Sequence, residues 1–189
     1  MNGTSVMAAL GCVGFTRALK LARWASALTA MSCDTMRGNA GHFDARIFAL
    51  KPHPGTQRCA EWIRSDLVRA SGGAGAEPAR LQDRYSLRCA PHVIGVLLDA
   101  LDFSRTLLEI ELNGVSDNPL VDPDSGDVLH GGNFYGGHLC FALDGLKAAV
   151  ASIADLLDRQ LCLLCDPATS AGLPANLVAA PEPARVSHH

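Results

Sequence analysis

Apolar residues that recur at steps of three and four over about thirty positions leave a chain few ways to fold. Met7, Leu10, Val13 or Gly14, Leu21, Trp24, Leu28 and Met31 keep that step from about Thr4 to Met36, the period of a helix with one apolar face. Thr4 or Ser5 is placed to cap it. A second run, Val93, Val96, Leu97, Ala100, Leu101, Leu107, Leu108 and Leu112, follows Pro91, a residue suited to a helix's first turn. A third carries Leu139, Ala142, Leu146, Ala149, Val150, Ile153, Leu156, Leu157 and Leu161 between about Tyr135 and Cys165, and Asp166-Pro167 ends it. Helices of this length pack along one another in a bundle or in the core of an oligomer. The expected fold class is therefore all-α, a long-helix bundle.

The connections are shorter. Residues 37–55 form a connector ending in Lys51-Pro52-His53-Pro54-Gly55, a rigid turn. A short helix is expected from about Thr56 to Ala70, then a flexible loop over Ser71–Pro78. Pro123-Asp124-Ser125-Gly126-Asp127, within Val121–His130, predicts the turn of a small hairpin. Residues 1–178 read as one partial helical domain, and 179–189 as an unstructured tail.

Composition narrows the function. With 48% hydrophobic and 19% charged residues the chain is not disordered. A net charge of -3, without a basic cluster or aromatic platform, gives no reason to expect a nucleic acid partner. The seven cysteines are irregularly spaced and read as small buried hydrophobes in a reducing cytoplasm. Cys162-Leu163-Leu164-Cys165 lies inside a helical run with no second pair nearby, so no metal is expected. No uninterrupted apolar run reaches the roughly 18 residues of a membrane span, and Met1-Asn2-Gly3-Thr4 has neither a basic nor an apolar leader region. The expectation is a cytoplasmic protein with no membrane partner.

Two polar stretches flank the second helical run and are hard to explain as packing. The first is Gln82-Asp83-Arg84-Tyr85-Ser86-Leu87-Arg88-Cys89. On a helical turn Gln82, Tyr85 and Arg88 would share one side. A guanidinium so placed grips a carboxylate through paired hydrogen bonds; alternatively, it is a polar loop whose Arg pairs with a nearby Asp. The second stretch is Glu111-Leu112-Asn113-Gly114-Val115-Ser116-Asp117-Asn118-Pro119-Leu120, followed by Gly131-Gly132-Asn133-Phe134. Asn118 there is either a fixed amide or a helix stop. Gly131-Gly132 either permits close backbone approach or makes a tight turn before a core Phe.

Taken together and in order, these pieces resemble the aromatic amino acid lyase family, the histidine, phenylalanine and tyrosine ammonia-lyases and related aminomutases. Asn2-Gly3-Thr4, His53-Pro54-Gly55, Gln82-Asp83-x-Tyr85-Ser86-x-Arg88-Cys89, Asp117-Asn118-Pro119-Leu120, Gly131-Gly132-Asn133-Phe134, Asp166-Pro167 and Gly172-Leu173-Pro174 carry the likeness. The resemblance implies a fragment of the family's central helical domain. It also implies elimination of ammonia from an aromatic amino acid through a methylidene-imidazolone group. By position, Asn2 would hydrogen-bond that group and Tyr85 would place the amine. Arg88, helped by Asn118 and supported by Gln82, would hold the substrate carboxylate. Phe134 would line the pocket. Tyr135-Gly136-Gly137-His138 resembles the tyrosine-acting members, which implies a substrate-binding role for His138; alternatively, His138 is an ordinary helix-start residue.

In the family the Ala-Ser-Gly precursor and a loop tyrosine base lie upstream of Asn-Gly-Thr, so the prosthetic group is expected from outside this chain. Ala70-Ser71-Gly72 falls in the wrong place in the motif order to be that precursor. The family's active site draws on three subunits of a homotetramer, so a homo-oligomer or a complementing chain is the implied partner. The alternative is an inactive remnant serving as a helical oligomerisation module.

Overall fold

The computed structural model describes residues 3–71 and 80–178, apart from the side chains of residues 69–71. The expected tail over 179–189, most of the 71–78 loop, and Asn2 lie outside the described residues. The elements are α1 (Ser5–Thr35), a 3-10 turn (Ala40–Phe43), α2 (Ala45–Ala49), α3 (Pro54–Ser71), α4 (Tyr85–Arg88) and α5 (Ala90–Asn113). They continue with β1 (Leu120–Val121), β2 (Val128–Leu129), α6 (Gly137–Cys165) and a 3-10 turn (Ala175–Leu177). The chain is mainly helical, as its periodicity predicts. β1 and β2 pair antiparallel, Leu120 with Leu129 and Val121 with Val128. Gly126 supplies the positive φ, +77°, that their turn needs.

The core lies among α1, α3, α5 and α6. Ile94, Leu97, Leu98 and Leu101 of α5 and Ile63 of α3 bury there with Ile153 and Leu156 of α6. α1 corrects the sequence reading. The face it buries is Ala8, Gly11, Ala18, Ala22, Ala25, Thr29 and Cys33, a set with the same three-and-four step as the large apolar residues. Most of those large residues face outward: Leu10 is 68% exposed, Trp24 64% and Met31 63%, while Leu21 is half-buried against the core. Small side chains let α1 approach its partners closely, and burial of the bulky stripe would hold the helices apart. On α5, likewise, Val96 and Leu112 of the expected stripe are exposed.

Thr4 is the N-cap residue of α1, yet its side chain makes no capping bond; its hydroxyl donates to the Glu111 carboxylate instead. α1 also has the length and composition to cross a membrane. That departs from the expectation drawn from uninterrupted runs. Its small-residue face is nevertheless packed in the bundle, and its sequence is interrupted by Arg17, Lys20 and Arg23.

Backbones come into contact where α3 starts against α5. A Cβ on Gly95 would meet Thr56 N and Cα at 2.6 Å, and one on Gly55 would meet Gly95 O at 2.3 Å. Asp99 Oδ1 accepts from Gly55 N at 2.6 Å, so His53-Pro54-Gly55 is a helix start fitted against α5.

The helix directions separate the polar motifs. A Cβ on Gly136, just before α6, would lie 3.0 Å from Met7 Sδ near the start of α1. Near their other ends, Gln160 Nε2 of α6 donates to Thr29 Oγ1 of α1 at 2.9 Å. α1 and α6 thus run the same way and α5 runs back between them.

A candidate binding site divided between the two ends of the bundle

One end carries the guanidinium. Gln82 lies in a bend before α4 rather than on its turn, so it does not share the helical side of Tyr85 and Arg88, and its side chain is exposed. Tyr85 and Arg88 do come together: Arg88 Cζ sits 4.5 Å from the Tyr85 ring centroid, a cation–π contact. Arg88 Nε donates to Asp83 O at 3.0 Å. The bond goes to a backbone carbonyl, so the expected alternative of an Arg–Asp ion pair does not form, and among the described residues both Nη groups stay free. Tyr85 is 73% exposed. α4 is held by the burial of Leu87 and by Gln160 Nε2, which donates to Ser86 O at 2.9 Å. Gln160 is 2% exposed, and its Oε1 is the one buried side-chain polar atom without a partner among the described residues.

The other end carries amides. Asn118 Oδ1 accepts from Gly131 N at 2.9 Å, tying the segment after α5 to the segment after β2. Asn133 Nδ2 donates to Val115 O at 3.3 Å, and the Asn118–Pro119 peptide is cis. Thr4 N donates to Ser116 Oγ at 3.1 Å. A Cβ on Gly3 would lie 2.0 Å from Ser116 O, so only glycine admits this approach. These contacts bring Gly3 and Thr4 beside Ser116, two residues before Asn118. Phe134, 41% exposed, and the exposed His138 at the start of α6 border the same end.

The 24 residues of α5 separate the two groups by about 36 Å at the usual helical rise. One chain therefore gathers Tyr85 and Arg88 at one end and Asn118, Phe134 and His138 at the other, and does not bring the two sets together. Sequence reasoning missed Asp83, Asn39, His42, Glu111 and Gln160, which position these motifs. Asp83 and Glu111 lay inside the two polar stretches without being assigned a role, but the others come from segments distant in the chain and carried no local signal.

The titration of the thiols follows burial. Cys33, at the Arg88 end, is pushed up to about 12 by burial, with the charges of Asp83 and Asp34 adding to it. Burial likewise raises Cys59 to about 12, opposed in part by a hydrogen bond with Ser26. Ala70 and Ser71 belong to the last turn of α3, while Gly72 lies outside the described residues. No group of three or more His, Cys, Asp or Glu residues suited to a metal occurs among the described residues.

A mainly helical chain with these two polar ends has clear relatives. The family model for aromatic amino acid lyase matches residues 1–188, and the chain belongs to that family. It is 45% identical over 180 residues to a histidine ammonia-lyase of Aromatoleum aromaticum, covering 94% of this chain and 34% of that protein. It is 38% identical over 192 residues to a tyrosine ammonia-lyase of Cereibacter sphaeroides, covering 94% of this chain and 37% of that one. A tyrosine aminomutase of Streptomyces globisporus matches in structure with a TM-score of 0.83 at 32% identity, over 97% of this chain and 38% of that one. The chain thus spans about a third of the length of the curated relatives it matches.

Proposed function

We propose that this chain acts in the elimination of ammonia from an aromatic amino acid, contributing two separate parts of a shared active site. The observation that carries this reading is the division of the polar residues between the ends of α5. A site that needs both Arg88 and Asn118 has to be assembled from more than one chain. A second copy lying antiparallel to the first would bring its Tyr85–Arg88 turn beside Asn118 and Phe134. This supports a homo-oligomer, a tetramer by family likeness, or a complementing chain as the partner.

In this reading the Nη groups of Arg88 hold the substrate carboxylate with Asn118, supported by Gln82. The Tyr85 phenol positions the amine. Phe134 and His138 border the ring. The amide of Asn2 and the phenol of Tyr85 are donors suited to the oxygen and the surroundings of a methylidene-imidazolone group. Such a group, when bound, would supply the electrophile of the reaction, and Tyr85 would hold the substrate amine beside it. The relatives include histidine and tyrosine enzymes, so the ring of the substrate is open between tyrosine, phenylalanine and histidine. The reaction belongs in the cytoplasm.

The test is product absorbance from the assembled enzyme containing this chain, with each aromatic amino acid offered in turn. Arg88→Ala is expected to lower kcat/KM by about 100-fold, the loss of charge-assisted hydrogen bonds to a carboxylate. Unchanged turnover would remove Arg88 from the site. The exposed apolar stripe of α1 favours one second reading, a helical oligomerisation module without activity. It gains if the assembled protein forms but converts none of the three substrates.

A further inference from the structure

We propose that His42, acting through Asp83, sets the pose of the Arg88 guanidinium, which makes His42 and Asp83 positioning residues. This deepens the reading of Arg88 as the carboxylate grip and rests on it. The 3-10 turn Ala40–Phe43 and its cap Asn39 lie far in sequence from α4, and no motif draws attention to them. Asn39 N donates to Asp83 Oδ2 at 2.6 Å, and Asn39 Nδ2 donates to Leu81 O at 3.3 Å. Asp83 N donates to His42 Nε2 at 3.0 Å. The turn thereby holds the backbone on both sides of Gln82.

The Asp83 side chain is 9% exposed and that of His42 16%, so both bonds are sheltered from water. Gly38 makes room for them: a Cβ there would lie 3.0 Å from Asp83 Oδ2 and 2.7 Å from Cys33 Sγ. Asp83 O, on a residue fixed at its N–H and carboxylate, accepts from Arg88 Nε at 3.0 Å. With Nε engaged and the Tyr85 ring 4.5 Å from Cζ, the donors left for a ligand are the Nη groups. A guanidinium held before its ligand arrives loses less freedom on binding. The bond from Asp83 N requires a neutral His42 with its proton on Nδ1. A charged ring has no acceptor, and its Nε2 would turn instead to Asp83 Oδ2, 3.7 Å away.

Hydrogen exchange of Arg88 Nε–H in the 15N-labelled full chain tests this, the resonance being identified by its loss in Arg88→Lys. In the unsubstituted protein we expect exchange at least about tenfold slower than in free arginine, as a hydrogen bond of ordinary net strength produces. His42→Leu should return most of that factor. His42→Gln, whose Oε1 can accept from Asp83 N, should keep most of it. Exchange at the free-arginine rate in the unsubstituted protein overturns the proposal without any variant. So does full protection in a folded His42→Leu protein. If His42→Leu does not fold, loss of protection in a folded His42→Gln protein counts against the acceptor role. Turnover separates the two layers. Reduced turnover in Arg88→Ala with protection indifferent to His42 leaves the carboxylate role and removes the positioning. Unchanged turnover in Arg88→Ala with protection dependent on His42 does the reverse.

Discussion

Thiolate, not thiol, is the reactive form of cysteine, and the seven cysteines divide sharply on that ground. Cys33 and Cys59 are buried, while Cys140 and Cys162 are exposed. Iodoacetamide at pH 8 should therefore modify Cys140 and Cys162 in the folded protein and reach Cys33 and Cys59 only on unfolding, as peptide mass mapping would report. The same two thiols make stability depend on pH. They titrate near 9.0 when unfolded and about 12 when folded, so between those values the unfolded chain loses protons first. Their contribution is complete below pH 9 and falls as pH rises towards 12. The urea midpoint should be lower at pH 10 than at pH 8, and Cys33→Ala with Cys59→Ala should flatten the decline. The expectation that the cysteines are buried hydrophobes holds for Cys33 and Cys59 and fails for Cys140 and Cys162, which are exposed. Which cysteines are buried was not legible in the sequence, because that depends on the face each helix presents.

Helix existence was legible at the scale of the element, and helix orientation only partly. Three long periodic segments became α1, α5 and α6 with ends close to those expected, since glycines and prolines at their borders act locally. α1 carried two stripes with one period, and sequence alone favoured the more hydrophobic. Close packing chose the smaller, because helix separation is set by the side chains between the axes. The same logic governs the α3–α5 contact, where Gly55 and Gly95 let backbones touch. Gly95→Ala places a methyl against the Thr56 backbone, which a side-chain rotation cannot relieve. It should cost about 2 kcal/mol or more, seen as a lower urea midpoint. Gly14→Ala, with open space around it, should add about 0.5–1 kcal/mol through helix propensity.

The whole molecule exposes what an assembly would cover. Val6, Met7, Leu10, Gly14, Leu143 and Val150 line an open groove of about 770 Å³ between α1 and α6, and Trp24, Leu28 and Met31 continue the apolar face along α1. In the proposed assembly this contiguous apolar surface would be covered. Leu10→Glu with Trp24→Glu should leave helix content unchanged by circular dichroism and shift sedimentation from an assembly to a single chain. An assembly that survives both charges would place the interface elsewhere. Sequence by itself determined the class of fold, the long helical segments α1, α3, α5 and α6, though not the short α2 inside the 37–55 connector, and the contiguous motifs around Tyr85, Arg88, Asn118 and Phe134. Periodicity, turn chemistry and motif order are all written within short windows of chain. Only the tertiary structure decided which stripe of α1 is buried, that His42 and Gln160 reach the Arg88 end, and that α5 holds the two polar sets apart. Those outcomes depend on how helices distant in sequence pack, and no local pattern encodes the partner across a helix interface.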